Sequence, residues 1–184
     1  MDTINAPVWQ GSTILTVRKG NEVVIAGDGQ VTEGALILNA HVKNVRRIAN
    51  GEVICGFTGK TADAVVLFEK LESIVAQSPR QLPRSCVDLA RFWRQTPHVL
   101  SPNAMMVVVN STHTLVLTGA GDVLEKNDGV VGVGSGGPYA LAAARALYDI
   151  EGFSAKDIVE KAINIAADIC VLTNRNIVID MITG

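Results

Sequence analysis

The order in which the hydrophobic period changes constrains this chain most. From Gly11 to Gly59 apolar residues run or alternate as in strands. From Thr61 to Trp93 they recur at three and four residues. Strands return between Ala104 and Val133, the helical period returns from Tyr139 to Ile169, and Ile177–Ile182 closes the chain as a last strand. Strands and helices therefore come in blocks rather than in alternation. This excludes a parallel doubly wound fold, and the expected α+β architecture is two mostly antiparallel sheets packed on each other, with a helix pair on each outer face.

The first block opens with Gly11-Ser12-Thr13-Ile14-Leu15-Thr16-Val17-Arg18-Lys19 and Val23-Val24-Ile25-Ala26-Gly27-Asp28-Gly29-Gln30. These read as a hairpin that returns Asp28 beside the head of the first strand. Val31–Gly34 is a turn, Ala35–Leu38 a short apolar run, and His41–Ile48 a strand. Asn50-Gly51 is a hairpin signal leading into Glu52–Gly59. Ala64, Phe68, Leu71 and Val75 mark a helix from Thr61 to about Ala76. Ser78–Pro83 breaks it, and Cys86, Leu89, Ala90 and Trp93 form the stripe of a second helix. Ala104–Val109 and Thr114–Leu117 are strands, Gly119–Asp122 a turn, and Val130–Val133 a short strand. An alanine-rich helix runs from Tyr139 to Tyr148. Ser154 and Asp157 form a capping box for the last helix, whose expected buried stripe is Ile158, Ala162, Ile165, Ala166 and Ile169.

At 184 residues, one domain with a sizeable core is expected. Only 4% of residues are aromatic, so aliphatic side chains must fill that core. A net charge of −2 gives no electrostatic case for nucleic acid, and no apolar run reaches the roughly 20 residues of a membrane span. The mean hydropathy of +0.28 without such a span leads us to expect buried subunit interfaces. Cys55, Cys86 and Cys170 are isolated, without zinc spacing, and fit a reducing compartment. Residues 1–11 lack the charge and hydropathy pattern of a secretory signal and the arginines of a transit peptide, and read as a leader or extended arm.

Several residues offer chemistry. A Ser or Thr at a chain's own N-terminus can use its α-amine, with a reference pKa of about 7.7–8.0, as general base for its own hydroxyl. Ser12-Thr13, with Asp28 returning beside them, suits that use, as it suits two ordinary edge residues. Gly134-Ser135-Gly136-Gly137-Pro138 precedes a helix and reads either as an anion-binding turn or as a tight turn in which Ser135 faces a site. Asp168 is a carboxylate on an otherwise apolar helix end, either a site residue or a solvated one. His41, His98 and His113 have no acidic companion at ligand spacing and read as structural.

The segments STILTVRK, VVIAGDGQVT, KNVRR, GFTGKTADA, LFEKLE, TGAGDVLE, GVGSGGPYALAAARAL and AADICVLTN, in this order from Ser12 onward, closely resemble the HslV family. These are the proteasome β-subunit-like peptidases of bacteria and some protist mitochondria. The resemblance implies an αββα sandwich of the N-terminal nucleophile hydrolase class, hexameric rings stacked as a dodecamer, and an HslU-type AAA+ unfoldase. That partner uses ATP and feeds in unfolded protein. It also implies a location, cytoplasmic in a bacterium or mitochondrial in a protist. By position, Ser12 stands for the nucleophile, Thr13 for the second family threonine, and Asp28 for the carboxylate beside the nucleophile. Gly56 supplies the oxyanion-hole N–H, and Ser135 and Asp168 lie near the terminal amine. Ala167, Cys170 and Thr173 match residues whose backbone carbonyls hold a sodium ion.

The chain departs from the family pattern in three places. The nucleophile is Ser rather than Thr and lacks the β-methyl that restricts χ1. Asn44 stands where the resemblance implies an active-site lysine, so the ammonium that would stabilise the nucleophile is missing, while Lys43 is expected to point the other way. The basic helix end of the family is replaced by Trp93–Ala104 with Pro97 and Pro102, which shortens the helix. Two readings stay open: a peptidase subunit with impaired catalysis, and a non-catalytic ring subunit.

Overall fold

The computed structural model describes residues 9–78, 80–96 and 100–184. In chain order its strands and helices are β1 (Trp9–Gln10), β2 (Thr13–Lys19), β3 (Glu22–Gly27), β4 (Val31–Glu33), β5 (Leu36–Asn39), β6 (Val45–Ile48), β7 (Val53–Thr58), α1 (Thr61–Gln77) and α2 (Leu82–Gln95). The second half holds β8 (Met105–Val109), β9 (Thr114–Thr118), β10 (Val123–Glu125), β11 (Val130–Gly134), α3 (Gly137–Tyr148), α4 (Ala155–Ile169) and β12 (Val178–Thr183).

The expected four layers are present. A four-stranded sheet, β11-β2-β3-β12, faces a five-stranded sheet, β10-β9-β8-β7-β6, and each paired strand is antiparallel to its neighbour. Three apolar cores separate the layers. Ile14, Ile25, Ile54, Val107 and Val133 pack between the sheets. Phe57, Leu67, Leu71, Leu89 and Trp93 seat α1 and α2 on the five-stranded sheet. Leu15, Val24, Ala140, Ile158 and Ala162 seat α3 and α4 on the four-stranded one. Strand alternation makes this possible, because Ile14 and Leu15 are consecutive and enter cores on opposite faces of β2. Each fully buried Leu or Ile contributes on the order of 1.5–3 kcal/mol.

The α1 and α2 stripes are buried as expected. In α4 the buried face is Ala155, Ile158, Val159, Ala162, Ile163 and Ala166, while Ile165 is half-buried and Ile169 exposed. The stripe turns toward residues 159 and 163, so the expected positions 165 and 169 fall outside it. Ser154 caps α4 reciprocally with Asp157. The Asn50-Gly51 signal lies in a left-handed turn, with Ala49 and Asn50 at φ +53° and +54°. Pro138 sits in the first turn of α3, which begins two residues before Tyr139.

Two regions differ from expectation. Only Val45–Ile48 of the His41–Ile48 segment pairs as a strand, because Asn44 N–H turns back to Val42 O at 3.1 Å. Residues 9–10 form a strand that was not expected: β1 pairs antiparallel with β4, Trp9 opposite Glu33 and Gln10 opposite Thr32. With β5 these make a small third sheet. His98 and Pro97 lie outside the described residues; α2 ends at Gln95, before them. His113 has an acidic partner after all, its Nδ1 lying 2.6 Å from Glu125 Oε1. The pair is twelve residues apart in sequence, and the β9–β10 hairpin brings it together.

Candidate active site

The head of β2 is where the two sheets and the α3–α4 layer meet. Thr13 N–H donates to Asp28 Oδ1 at 2.7 Å, and Asn174 N–H donates to Asp28 Oδ2 at 3.2 Å. The backbone also closes the pair, with Asp28 N–H donating to Thr13 O at 3.2 Å. Asp28 is fully buried. Burial pushes its carboxyl up from 3.8 to about 6, against the opposing pull of the backbone N–H groups of Thr13 and Asn174.

The Thr13 side chain points into the helix layer. Its hydroxyl lies 2.8 Å from that of Thr173 and accepts from Gly136 N–H at 3.0 Å. A methyl at Gly136 would overlap both hydroxyls, so glycine is required there. Half-buried Ser135 donates its backbone N–H to Ser12 O at 3.3 Å. The glycine-rich turn thus serves as the floor under residues 12 and 13.

Ser12 itself is 3% exposed, and its Oγ donates to Gln30 O at 3.0 Å. Its backbone takes the left-handed region at φ +74°, following Gly11 at φ +127°.

Asn44 enters from the head of β6, between the sheets. It is 5% exposed, and neither Oδ1 nor Nδ2 has a hydrogen-bond partner. Its amide lies on Gly27, where a methyl would overlap it. Gly27 stands opposite Ile14 in the β2–β3 register, two residues along from Ser12. Lys43 is exposed, so it faces away from Asn44 as expected, although the segment is irregular rather than a strand. Gly56 packs on the same inter-sheet space. A methyl there would stand 2.6 Å from Ile14 Cγ2, so close sheet approach alone requires a glycine.

Ser12, Thr13, Asp28 and Ser135 are joined by hydrogen bonds, and Asn44 and Gly56 lie along the inter-sheet side. Asp168 is not part of this set. Its side chain is 60% exposed and pairs with Arg175. Ala167, Cys170 and Thr173 surround the end of α4, where Cys170 N–H donates to Ala166 O at 2.8 Å and Thr173 N–H to Cys170 O at 3.0 Å. Carbonyl oxygens at a helix C-terminus carry partial negative charge and are hard donors. The chemistry of this turn therefore fits an alkali cation. Among the described residues no cluster of His, Cys, Asp and Glu could hold a metal, and no helix is long and apolar enough to cross a membrane. Burial raises the Cys55 thiol far above its usual range and pushes Cys86 up to about 12, so neither is a nucleophile.

Three contributors escape sequence reasoning. Gln30 accepts from Ser12 through its backbone and donates its side-chain amide to Val171 O at 2.9 Å. Asn174 braces Asp28 and also donates Nδ2 to Ala40 O at 3.0 Å. The Thr173 hydroxyl meets Thr13. All five contacts join segments more than a hundred residues apart or act through the backbone. Their only local trace is the turn composition of Asn174-Arg175-Asn176.

Four layers with a buried Ser-Thr strand head facing a carboxylate define the proteasome-type N-terminal nucleophile class, and comparison with known proteins agrees. Residues 8–182 match the proteasome subunit family. The chain is 50% identical over 180 residues to the ATP-dependent protease subunit HslV of Paramagnetospirillum magneticum, covering 98% of this chain and 99% of the relative. It is 50% identical to HslV of the Wolbachia of Brugia malayi, covering 95% and 99%. The crystal structure of eukaryotic HslV from Trypanosoma brucei superposes with a TM-score of 0.87 at 42% identity, covering 94% and 99%. Thiobacillus denitrificans BPH shares the fold at 17% identity and a TM-score of 0.77. The chain belongs to the proteasome subunit family and, within it, to HslV.

Proposed function

We propose that this chain is a proteolytic-type subunit of a ring-shaped ATP-dependent protease whose own catalytic centre is impaired. The observation that carries the impairment is Asn44: a neutral amide, buried and without a partner, at the position for which the resemblance implies a lysine. In this reading, removal of residues 1–11 frees the Ser12 α-amine, which takes the proton from Oγ as Oγ attacks a peptide carbonyl. The Gly56 N–H then meets the developing oxyanion, a contribution of about 2.7–4 kcal/mol for one such donor. Asp28, braced by Thr13 and Asn174, positions the strand head, and Ser135 supports the backbone of Ser12. Asp168 would act near the amine only after leaving Arg175. Without the ammonium, the alkoxide and the free amine lose their electrostatic support, and leader removal suffers with turnover.

The remaining parts follow from kinship. The chain would assemble as hexameric rings or a dodecamer, and an HslU-type AAA+ unfoldase would deliver unfolded protein, with ATP consumed only by that partner. A sodium ion held by the carbonyls of Ala167, Cys170 and Thr173 would stiffen the turn that presents Asn174 N–H to Asp28. Location would be the cytoplasm of a bacterium, or the mitochondrion of a protist. A non-catalytic ring subunit is the second reading, favoured by the same Asn44.

The test is peptide cleavage by the purified chain, with intact mass to follow residues 1–11. Little or no cleavage is expected, with recovery of leader removal in Asn44→Lys and further recovery when Ser12→Thr is added. An unaltered chain that is already trimmed to Ser12 and cleaves as fast as Asn44→Lys would overturn the impairment.

A further inference from the structure

The turn between β6 and β7 carries a reactive step far from Ser12 in the chain. Asn50-Gly51 is the one Asn-Gly pair in the sequence. Asn50 is exposed, and among the described residues its side-chain amide has no hydrogen-bond partner. Gly51 has no side chain to screen its nitrogen. Beyond its chain neighbours, even a methyl there would meet nothing nearer than Arg47 Cδ at 3.6 Å. Ala49 and Asn50 stand at φ +53° and +54°. Asn tolerates that region, but Ala is strained in it. The turn is held by Glu52 N–H, which donates to Ala49 O at 3.1 Å, and by Arg47 Nη1, which donates to Gly51 O at 2.8 Å. The same guanidinium pairs with Asp180 and donates to Met181 O, so Arg47 ties the turn to β12 in the other sheet.

We propose that Asn50 is a site of spontaneous deamidation, gated by opening of this turn. The Gly51 nitrogen gives its proton to hydroxide and attacks Asn50 Cγ. The new N–C bond closes a cyclic succinimide, and the bond from Cγ to the side-chain nitrogen breaks, which leaves as ammonia with a proton from water. A second water then opens either ring carbonyl. One product is aspartate and the other isoaspartate, whose main chain runs through Cγ. In the folded turn ψ at Asn50 is +24°, which holds the Gly51 nitrogen away from Cγ. The reaction therefore waits for the turn to open. Strain at Ala49 and exposure of Asn50 make that a local event rather than a global one. The product carboxylate enters the rim of a cavity of about 400 Å³ against α1, where Glu52 and Glu72 already stand. Isoaspartate also lengthens the backbone beside Gly51 O and draws it from Arg47. The inference does not depend on whether Ser12 cleaves peptides.

Peptide mapping by mass, on the full chain kept folded in mildly alkaline buffer, tests this. An isoaspartate-specific methyltransferase marks the β-linked product. Conversion at Asn50 should exceed that at any other asparagine by at least about tenfold, because none of the others precedes a glycine. An Asn50 amide that stays intact while others convert, or that converts only once urea unfolds the whole chain, would overturn the proposal. Arg47→Ala frees the turn and should speed conversion several-fold. Ala49→Gly removes the strain that favours opening and should slow it. If neither change moves the rate, the turn does not gate the reaction and the proposal fails. Should Arg47→Ala not fold, Ala49→Gly and the unaltered chain decide the matter.

Discussion

Ser12 and Thr13 are neighbours in the chain, yet they stand in opposite surroundings. On the Thr13 side, toward α3 and α4, the buried polar groups are matched: its N–H goes to Asp28, its hydroxyl meets Thr173 and Gly136 N–H, and Asn174 completes the carboxylate. On the inter-sheet side, one residue away, the amide of Asn44 is buried with neither atom paired. The scaffold that positions the strand head is thus matched, and among the site residues the unpartnered polar atoms are those of Asn44. If the proposed impairment came from general decay of the site, orphans would be expected on both sides. Here the change is local, and reversing it is the direct way to examine it.

The largest expected effect is catalytic. Asn44→Lys should raise peptide cleavage by at least about a hundredfold, the scale of one preorganised electrostatic contact, measured as kcat/KM alongside intact mass. No gain would mean that the deficit lies elsewhere around Ser12. Next is the matched side. Asp28→Ala strands two buried N–H donors and should cost about 3 kcal/mol in urea unfolding. Asp28 also gives a pH signature. Its native carboxyl is raised from 3.8 to about 6, so the folded chain holds the proton more tightly than the unfolded one. Its contribution to stability is complete below 3.8 and is lost as pH rises through about 6. Between these limits the unaltered protein should lose stability relative to Asp28→Asn, and a relative gain would contradict the shift.

A smaller effect tests the unmatched side directly. Asn44→Leu replaces an unpaired amide by an apolar group of similar shape and should stabilise the fold by about 1 kcal/mol. A loss of similar size would show that the amide has a partner in solution. Smallest of all, Asp168→Asn removes an exposed ion pair with Arg175 and should change stability by less than about 1 kcal/mol. If it also abolished the activity of the Asn44→Lys protein, Asp168 would belong to the site in spite of its exposure.

Much of this molecule is legible in its sequence, for reasons that differ from part to part. The block order of strands and helices, the stripes of α1 and α2 and the Ser154 capping box are local patterns, repeated often enough to read without a structure. The α4 stripe shows the limit: Ile165 and Ile169 continue an apolar spacing, but which side of an alanine-rich helix is buried depends on the sheet it meets. Asp28 and Asn44 were singled out by position in a motif. Their surroundings were not: the Thr13 and Asn174 donors that brace Asp28, and the lack of a partner for the Asn44 side-chain amide, are set by segments distant in the chain. The pairing of β1 with β4 was invisible too, because two residues carry no period. The sequence by itself determined the layers, since hydrophobic period is a property of neighbouring residues. Only the tertiary structure decided which polar groups are matched, because a hydrogen bond buried at 2.7 Å depends on where two remote pieces of backbone come to rest.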